Sequence, residues 1–152
     1  MRWGRGESGV HPRVIDALYV DAMLLADEAR SYFEEEGRAE RDVLGGGGRV
    51  AFSCESLRVT TRLMHVIAWL MTRRAVEVGE ISQEAALHPS RRLGADTTTT
   101  VEAGTLPPRA LALAQASIAL HRRAALLDAA LAASDTPASP ARIMQQRLAA
   151  SL

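Results

Sequence analysis

The run from Glu55 to Ser82, ESLRVTTRLMHVIAWLMTRRAVEVGEIS, lacks proline and has its only glycine, Gly79, near its end. We interpret it as one long central helix that this glycine terminates, after which Ser82 and Glu84 can start a short turn of helix through Leu87. At about 100° per residue, its apolar side chains cover an arc of roughly 200°, which is wider than one neighbouring helix needs. The pattern therefore predicts that the helix is covered from two directions. The apolar positions are Leu57, Val59, Leu63, Met64, Val66, Ile67, Leu70, Met71, Ala75 and Val78.

The remaining arc of the central helix is basic and contains one aromatic ring. Trp69 lies there among arginines, and tryptophan and arginine are enriched at binding hot spots. We therefore predict an exposed partner-binding surface on this side. The alternative is that Trp69 lies under a neighbouring helix, where it stabilises the bundle through buried area and cation–π contacts. The predicted surface consists of Arg58, Arg62, His65, Trp69 and Arg73.

The composition indicates an all-α protein with one compact domain. The chain has 152 residues, of which 47% are apolar and only 4% aromatic. Alanine and leucine predominate, which favours helices packed through small side chains over a β-sheet. We expect a flexible N-terminus over residues 1–12, a three-helix bundle over 13–133 and a flexible tail over 134–152. No cofactor is expected.

Two further helices flank the central one, which predicts an antiparallel three-helix bundle. The first starts near Pro12 and stops at Gly37, and the other starts near Pro107. The core face predicted for the first consists of Ile15, Leu18, Ala22, Leu25, Ala29 and Tyr32. The four glycines 45–48 lack a following Lys-Ser or Lys-Thr, so we interpret them as flexible chain. Residues 89–104 hold few large apolar side chains and four consecutive threonines, which predicts a mobile surface loop.

The last long helix has two apolar seams. One seam alternates leucine with small residues and is expected to face the core. The second contains Leu111 and Ile118, and it predicts a homodimer interface, although an alanine-rich helix exterior is the alternative. The core seam consists of Leu106, Leu113, Ser117, Leu120, Ala124, Leu127 and Leu131.

Charge and motifs exclude several classes of function. The 18 basic and 18 acidic residues balance, so no overall field attracts nucleic acid or anionic lipid. The lone Cys54 forms no internal disulfide, and we expect a cytoplasmic protein without a membrane span. No metal-ligand spacing or catalytic motif is present, so no metal site is expected. An enzyme using Glu55 and His65, or a small DNA-binding regulator, remains a rival hypothesis.

The central run resembles the core signature of the RcdA family of alphaproteobacteria, the regulators of CtrA degradation. The order of segments is similar too: VIDALYVDAMLLADEARSYF, then the Thr-Thr-Arg-Leu-Met helix, a Gly-Glu-x-Ser turn, and LPPRALALAQASIALHRRAALLD. This resemblance covers residues 13–131. It implies a small, often dimeric, non-catalytic bundle that serves as an adaptor for the ClpXP protease and presents cell-cycle regulators as cargo.

Overall fold

A computed structural model of the chain describes residues 10–96, 104, 106–134 and 140–150. These residues form six α-helices and one 3₁₀ turn, with no strand among them, which confirms the predicted all-α class. The three long helices, α1, α3 and α5, each pack against the other two. The helices are α1 (Val10–Glu34), α2 (Glu36–Asp42), α3 (Gly46–Glu77), α4 (Gln83–Ala86), α5 (Pro108–Ser134) and α6 (Pro140–Ala150), with the 3₁₀ turn at Pro89–Arg91.

The central helix α3 is longer at its N-terminus than predicted. It starts at Gly46 and includes three glycines of the run that we expected to be flexible. Gly45 is extended, and its carbonyl oxygen accepts a hydrogen bond from the Arg49 amide at 2.9 Å, so the first turn is closed. Tertiary packing one turn later stabilises this end, because Phe52 is buried and its ring lies 5.5 Å from that of Phe33.

The other end of α3 agrees with the sequence. Gly79 has a φ of 79°, the left-handed conformation that glycine adopts without a side-chain clash. The Gly79 amide donates to the Val76 carbonyl at 3.1 Å and the Glu80 amide to the Ala75 carbonyl at 2.9 Å. This pair of bonds is a Schellman motif, which satisfies the last carbonyl groups of the helix.

The core contains most of the predicted positions of α1 and α5, but only half of the arc predicted for α3. Val59, Leu63, Val66 and Leu70 are at most 2% exposed. The core also buries one face of α1 and the leucine and small-residue seam of α5. Two neighbours, α1 and α5, cover α3, which confirms the prediction that it is covered from two directions. Part of the arc nevertheless remains exposed. Its large exposed members are Leu57, Met64, Met71 and Val78.

The helix directions differ from a simple antiparallel bundle. Asp16 near the start of α1 lies 3.6 Å from Arg74 near the end of α3, so these two helices are antiparallel. In contrast, Arg62 is hydrogen-bonded to Ser117, and Trp69, further along α3, is hydrogen-bonded to Asp128, further along α5. Residue numbers increase in the same direction along both helices. Helices α3 and α5 are therefore parallel, and the prediction of an antiparallel arrangement is wrong for this pair.

The long connection between α3 and α5 makes the parallel arrangement possible. With 32 residues, α3 is about 48 Å long, and the chain must cover that distance again before α5 begins. The residues between Val78 and Pro107 suffice, because an extended chain spans about 3.3 Å per residue. An antiparallel pair of α3 and α5 would need only a short loop, because the end of α3 would then lie beside the start of α5.

The helices extend beyond residues 13–133, the range expected for the bundle. Helix α1 begins at Val10 rather than at residue 13, and α5 ends at Ser134. The region predicted to be a flexible tail contains α6, over Pro140–Ala150. The predictions for residues 1–9, for the threonine run 97–100 and for residues 135–139 lie outside the described residues.

Candidate protein-binding surfaces

The connection after α3 returns along the groove between α3 and α5. We call residues 83–96 the return segment. Its side chains and backbone meet successive turns of the two helices in order, which anchors a segment predicted to be mobile. The contacts are Gln83 with Arg73 at 2.6 Å, Arg92 with Asp128 at 3.0 Å, the Gly94 carbonyl with His121 at 3.0 Å, and Asp96 with Arg62 at 2.6 Å.

Arg62 is the most buried cation of this groove, at 2% exposure. Its Nε donates to Asp96 at 2.6 Å, and one terminal nitrogen donates to the Ser117 hydroxyl at 2.7 Å. The Ser117 hydroxyl in turn donates to the Ala114 carbonyl at 2.8 Å. A buried guanidinium is tolerated when its hydrogen bonds are satisfied and a carboxylate compensates its charge. Arg62 therefore binds the chain's own return segment.

Trp69 also makes its contacts within the chain. It is 3% exposed, and its indole N–H donates to Asp128 at 3.1 Å. The same carboxylate accepts hydrogen bonds from Arg92 of the return segment at 3.0 Å. Asp128 of α5 therefore accepts hydrogen bonds from both α3 and the return segment, and so links the three elements. The alternative interpretation of Trp69, in which it lies under a neighbouring element, agrees with this burial.

The start of the return segment is fixed by a helix cap. The Ser82 hydroxyl accepts a hydrogen bond from the Ala85 amide at 3.0 Å, which satisfies a free donor in the first turn of α4. This is the turn that the sequence predicts from Ser82 and Glu84. The cap positions Gln83, whose side-chain oxygen accepts from Arg73. Arg73 is only 5% exposed.

An apolar surface lies on the opposite side of α3. Five large side chains recur every seven residues and are 58% to 71% exposed. We call them the outer stripe. A folded protein scatters single apolar residues over its surface, but a regular row along a helix indicates an interaction face. The outer stripe consists of Val50, Leu57, Met64, Met71 and Val78.

Beside the outer stripe, a groove of about 560 Å³ separates α1 and α3, and α2 closes one end. We call it the α1–α3 groove. Its floor is apolar and includes Phe33, Leu63, Met64 and Ile67. Four charged side chains, Arg30, Glu34, Arg38 and Arg41, line the end that is nearer α2. The volume is within the range of binding sites in proteins.

The comparisons with known proteins agree with this architecture. A family model described as "Protein of unknown function (DUF1465)" matches residues 6–152. The crystal structure of RcdA from Caulobacter crescentus CB15 is 33% identical, covers 78% of this chain and 90% of that chain, and superposes with a TM-score of 0.65. The chain belongs to the RcdA family. No protein with a curated description matches it.

In this RcdA-family chain, the predicted partner-binding surface is divided by the return segment. Of its five residues, only Arg58 and His65 are exposed, whereas Arg62, Trp69 and Arg73 are buried. The prediction that all five form one exposed surface is therefore wrong. Sequence periodicity places them on the polar side of α3 but does not reveal that the chain returns over them. A smaller pocket of about 200 Å³ remains where Arg58 and His65 border Asp96.

The rival enzyme hypothesis gains no support from the geometry. Glu55 and His65 lie ten positions apart on α3, which separates them by about 15 Å along the helix axis. Glu55 is 2% exposed and pairs with Arg58 at 3.3 Å. Its second carboxylate oxygen has no hydrogen-bond partner among the described residues. Within the same part of the chain, no group of His, Cys, Asp or Glu is arranged to hold a metal ion.

The predicted dimer seam of this family member is mostly covered within one chain. Ile118 is 8% exposed, and Leu111 is half-buried. The outer stripe exposes far more apolar surface than this seam does. Four of its members, Leu57, Met64, Met71 and Val78, belong to the apolar arc predicted for the central helix, and the sequence pattern does not divide that arc into a buried and an exposed part. Their seven-residue spacing does not distinguish them, because Phe52, Val59 and Val66 are buried at the same spacing. No described helix is long and apolar enough to cross a membrane.

Proposed function

We propose that this chain is a non-enzymatic adaptor that tethers cell-cycle regulator cargo to the ClpXP protease in the cytoplasm of an alphaproteobacterium. The observation that carries the proposal is the similarity to RcdA, at 33% identity over 90% of that chain. The superposition covers 78% of this chain with a TM-score of 0.65, so the two chains share a fold. The family's role as an adaptor comes from the resemblance stated above.

The distribution of polar and apolar side chains supports a role in binding proteins. Buried arginine, tryptophan and aspartate side chains are paired within the chain, whereas large apolar side chains are exposed in a regular row. An enzyme is expected to gather titratable groups in a cleft, and a binding scaffold to expose apolar contact area. The rival DNA-binding regulator would use the basic side chains Arg58, Arg62, Arg73 and Arg74 of α3, but Arg62 and Arg73 are buried.

The proposal includes a homodimer, as the resemblance implies and the seam of Leu111 and Ile118 predicts. Leu111→Glu alone tests that seam, because it changes a half-buried side chain. Ile118→Glu would place a carboxylate at a site with 8% exposure and damage the fold itself. Light scattering of the wild type and of Leu111→Glu should give a dimer and a monomer. A wild-type monomer would reject the homodimer.

A reconstituted degradation reaction tests the adaptor role. Purified ClpX, ClpP and ATP are mixed with CtrA, with and without this chain, and loss of CtrA is followed over time. We expect faster loss in the presence of the chain. The control is a substrate that ClpXP degrades unaided, whose rate should not change. An unchanged CtrA rate, together with no co-elution of the chain with ClpX, would contradict the proposal.

A further inference from the structure

The α1–α3 groove has the shape of a binding site for a fourth helix. Two rows of side chains face it, and both follow the alternating three- and four-residue spacing with which bundle helices contact a neighbour. Three members of each row line the groove directly. Those from α1 are Ala26, Arg30 and Phe33, and those from α3 are Thr60, Met64 and Ile67.

The rows continue beyond the groove as exposed apolar side chains. Met23 extends the α1 row and is 44% exposed, and Leu57 and Met71 extend the α3 row at 67% and 58%. Methionine is flexible and polarisable, so it adapts to the side chains of different partners. A helix laid along both rows would cover this exposed area and complete a four-helix arrangement.

The charges at the α2 end of the groove indicate the chemistry of the occupant. The lining contains three arginines and one glutamate, and Arg30 is paired with Asp27 at 2.8 Å and with Glu34 at 3.4 Å, so Arg38 and Arg41 are the cations that face an occupant. Arg38 is exposed and makes no ion pair with the residues that the structure describes, and Arg41 contacts only its neighbour Asp42, at 3.4 Å. Arginine forms strong paired hydrogen bonds with carboxylates. An acidic side chain on the occupant would therefore be bound at this end.

Two occupants from the same kind of chain fit poorly. Helix α6 has Arg147 and no acidic residue between Pro140 and Ala150, so it would place like charges together. A second copy could insert its own outer stripe around a twofold axis. The acidic residues of α3 are only Glu55, which is buried, and Glu77 in the last turn, so that helix offers Arg38 and Arg41 little negative charge. The geometry therefore favours a segment of a different protein.

We propose that the α1–α3 groove binds an amphipathic helix of a partner protein, with its apolar face along Phe33, Met64 and Ile67 and acidic residues at the α2 end beside Arg38 and Arg41. This inference rests on the proposed function in treating the chain as a protein-binding scaffold. It adds the location of the surface and the chemistry of the partner. The test contains no protease, so its outcome is separate from that of the degradation assay.

The probe is a displayed library of helical peptides panned against the full chain. The core positions of each peptide vary among Leu, Ile, Val and Met, and the other positions vary among Glu, Lys, Gln and Ala. We expect the enriched peptides to carry net negative charge. Their Kd should rise by at least about tenfold on Met64→Glu, because that change places a carboxylate on the apolar floor.

Matched variants separate the groove from the rest of the surface. The double variant Arg38→Glu, Arg41→Glu should weaken binding several-fold and regain it with peptides that carry Lys in place of Glu. Leu126→Glu is the control, since Leu126 lies on α5, is 74% exposed and is remote from the groove. It should leave the Kd unchanged. Circular dichroism checks that each variant is folded.

Three results would overturn the proposal. The first is a library that yields no binder, and the second is a set of binders that are neutral or basic. The third is an affinity that Met64→Glu leaves unchanged. Light scattering gives a further check: if Met64→Glu converts a wild-type dimer into a monomer, a second copy covers the groove and the partner helix is rejected.

Discussion

Arg62 and Asp96 form an ion pair of 2.6 Å although they are 34 positions apart in the chain. The arginine is inside the bundle and the aspartate is at the end of the return segment. Asp96→Ala should therefore leave a buried guanidinium without its main counter-charge. We expect a loss of about 3 kcal/mol in the free energy of unfolding, measured by urea denaturation.

The control for this pair removes both charges. The double variant Arg62→Met, Asp96→Leu replaces the ion pair by apolar side chains, which in other buried pairs is often close to neutral. It should be more stable than Asp96→Ala alone. If Asp96→Ala changes the free energy of unfolding by less than about 0.5 kcal/mol, the pair does not anchor the return segment.

Trp69 provides a second measure of how firmly the return segment is held. Because its ring is 3% exposed and its N–H is bonded to Asp128, Trp69→Ala should lower the free energy of unfolding by about 3 to 5 kcal/mol. Trp69→Phe keeps most of the ring volume and loses the donor, so it should cost less. Thermal melts followed by far-ultraviolet circular dichroism distinguish the two. An unchanged melting temperature for Trp69→Ala would mean that the ring is exposed in solution.

The elements that the sequence predicts well are those fixed by local chemistry. The end of α3 follows from Gly79, the start of α4 from Ser82, and the buried rows of α1 and α5 from helical periodicity. Each of these depends on residues within about two turns of one another. The family assignment was accessible for the same reason, since its signature lies within single helices.

The elements that the sequence does not predict depend on where distant segments meet. No residue near Arg62 or Trp69 in the sequence indicates that residues 83–96 pack over them. The sequence periodicity of a polar helix face is the same whether that face is buried or exposed. The apolar arc of α3 is ambiguous in the same way, because periodicity does not distinguish a buried apolar face from an exposed one. Leu57 and Leu63 are equally apolar, but Leu63 is 2% exposed and Leu57 is 67% exposed. Burial of a helix face is a property of the tertiary arrangement and not of the helix.

Tyr32 gives a prediction for alkaline pH. Its side chain is buried and donates a hydrogen bond to the Glu40 carboxylate, and burial together with this carboxylate raises the pKa of the phenol. In the unfolded chain the phenol ionises near its ordinary pKa of about 10. The contribution of Tyr32 to the free energy of unfolding is therefore fully present below that pH, and it is lost as the pH rises above it.

The test compares the wild type with Tyr32→Phe from pH 7 to 11. At neutral pH the variant should be less stable by about 1 kcal/mol, because it lacks the bond to Glu40. Above about pH 10 the difference should shrink, since only the wild type loses stability through this phenol. The chain contains no lysine, so few other groups titrate in this range. A difference that stays constant or grows with pH would contradict a raised pKa in the folded state.

The glycines of the α3 N-terminus give the last prediction. A Cβ atom added at Gly46 or Gly47 would meet nothing within 4 Å, and both residues are helical. Alanine is the better helix former because it loses less backbone entropy on folding. Gly46→Ala and Gly47→Ala should each raise the free energy of unfolding by about 0.5 kcal/mol, measured by urea denaturation.

Two other glycines are the matched controls, because the same substitution should have the opposite sign there. At Gly37 the added Cβ would lie 2.8 Å from the Tyr32 carbonyl oxygen, and at Gly79 it would meet a left-handed φ of 79°. Gly37→Ala and Gly79→Ala should therefore lower stability by about 1 kcal/mol or more. If Gly46→Ala and Gly47→Ala are neutral while both controls destabilise, the first turn of α3 is frayed in solution. The helix would then begin nearer Arg49, after the glycine run that the sequence predicts to be flexible.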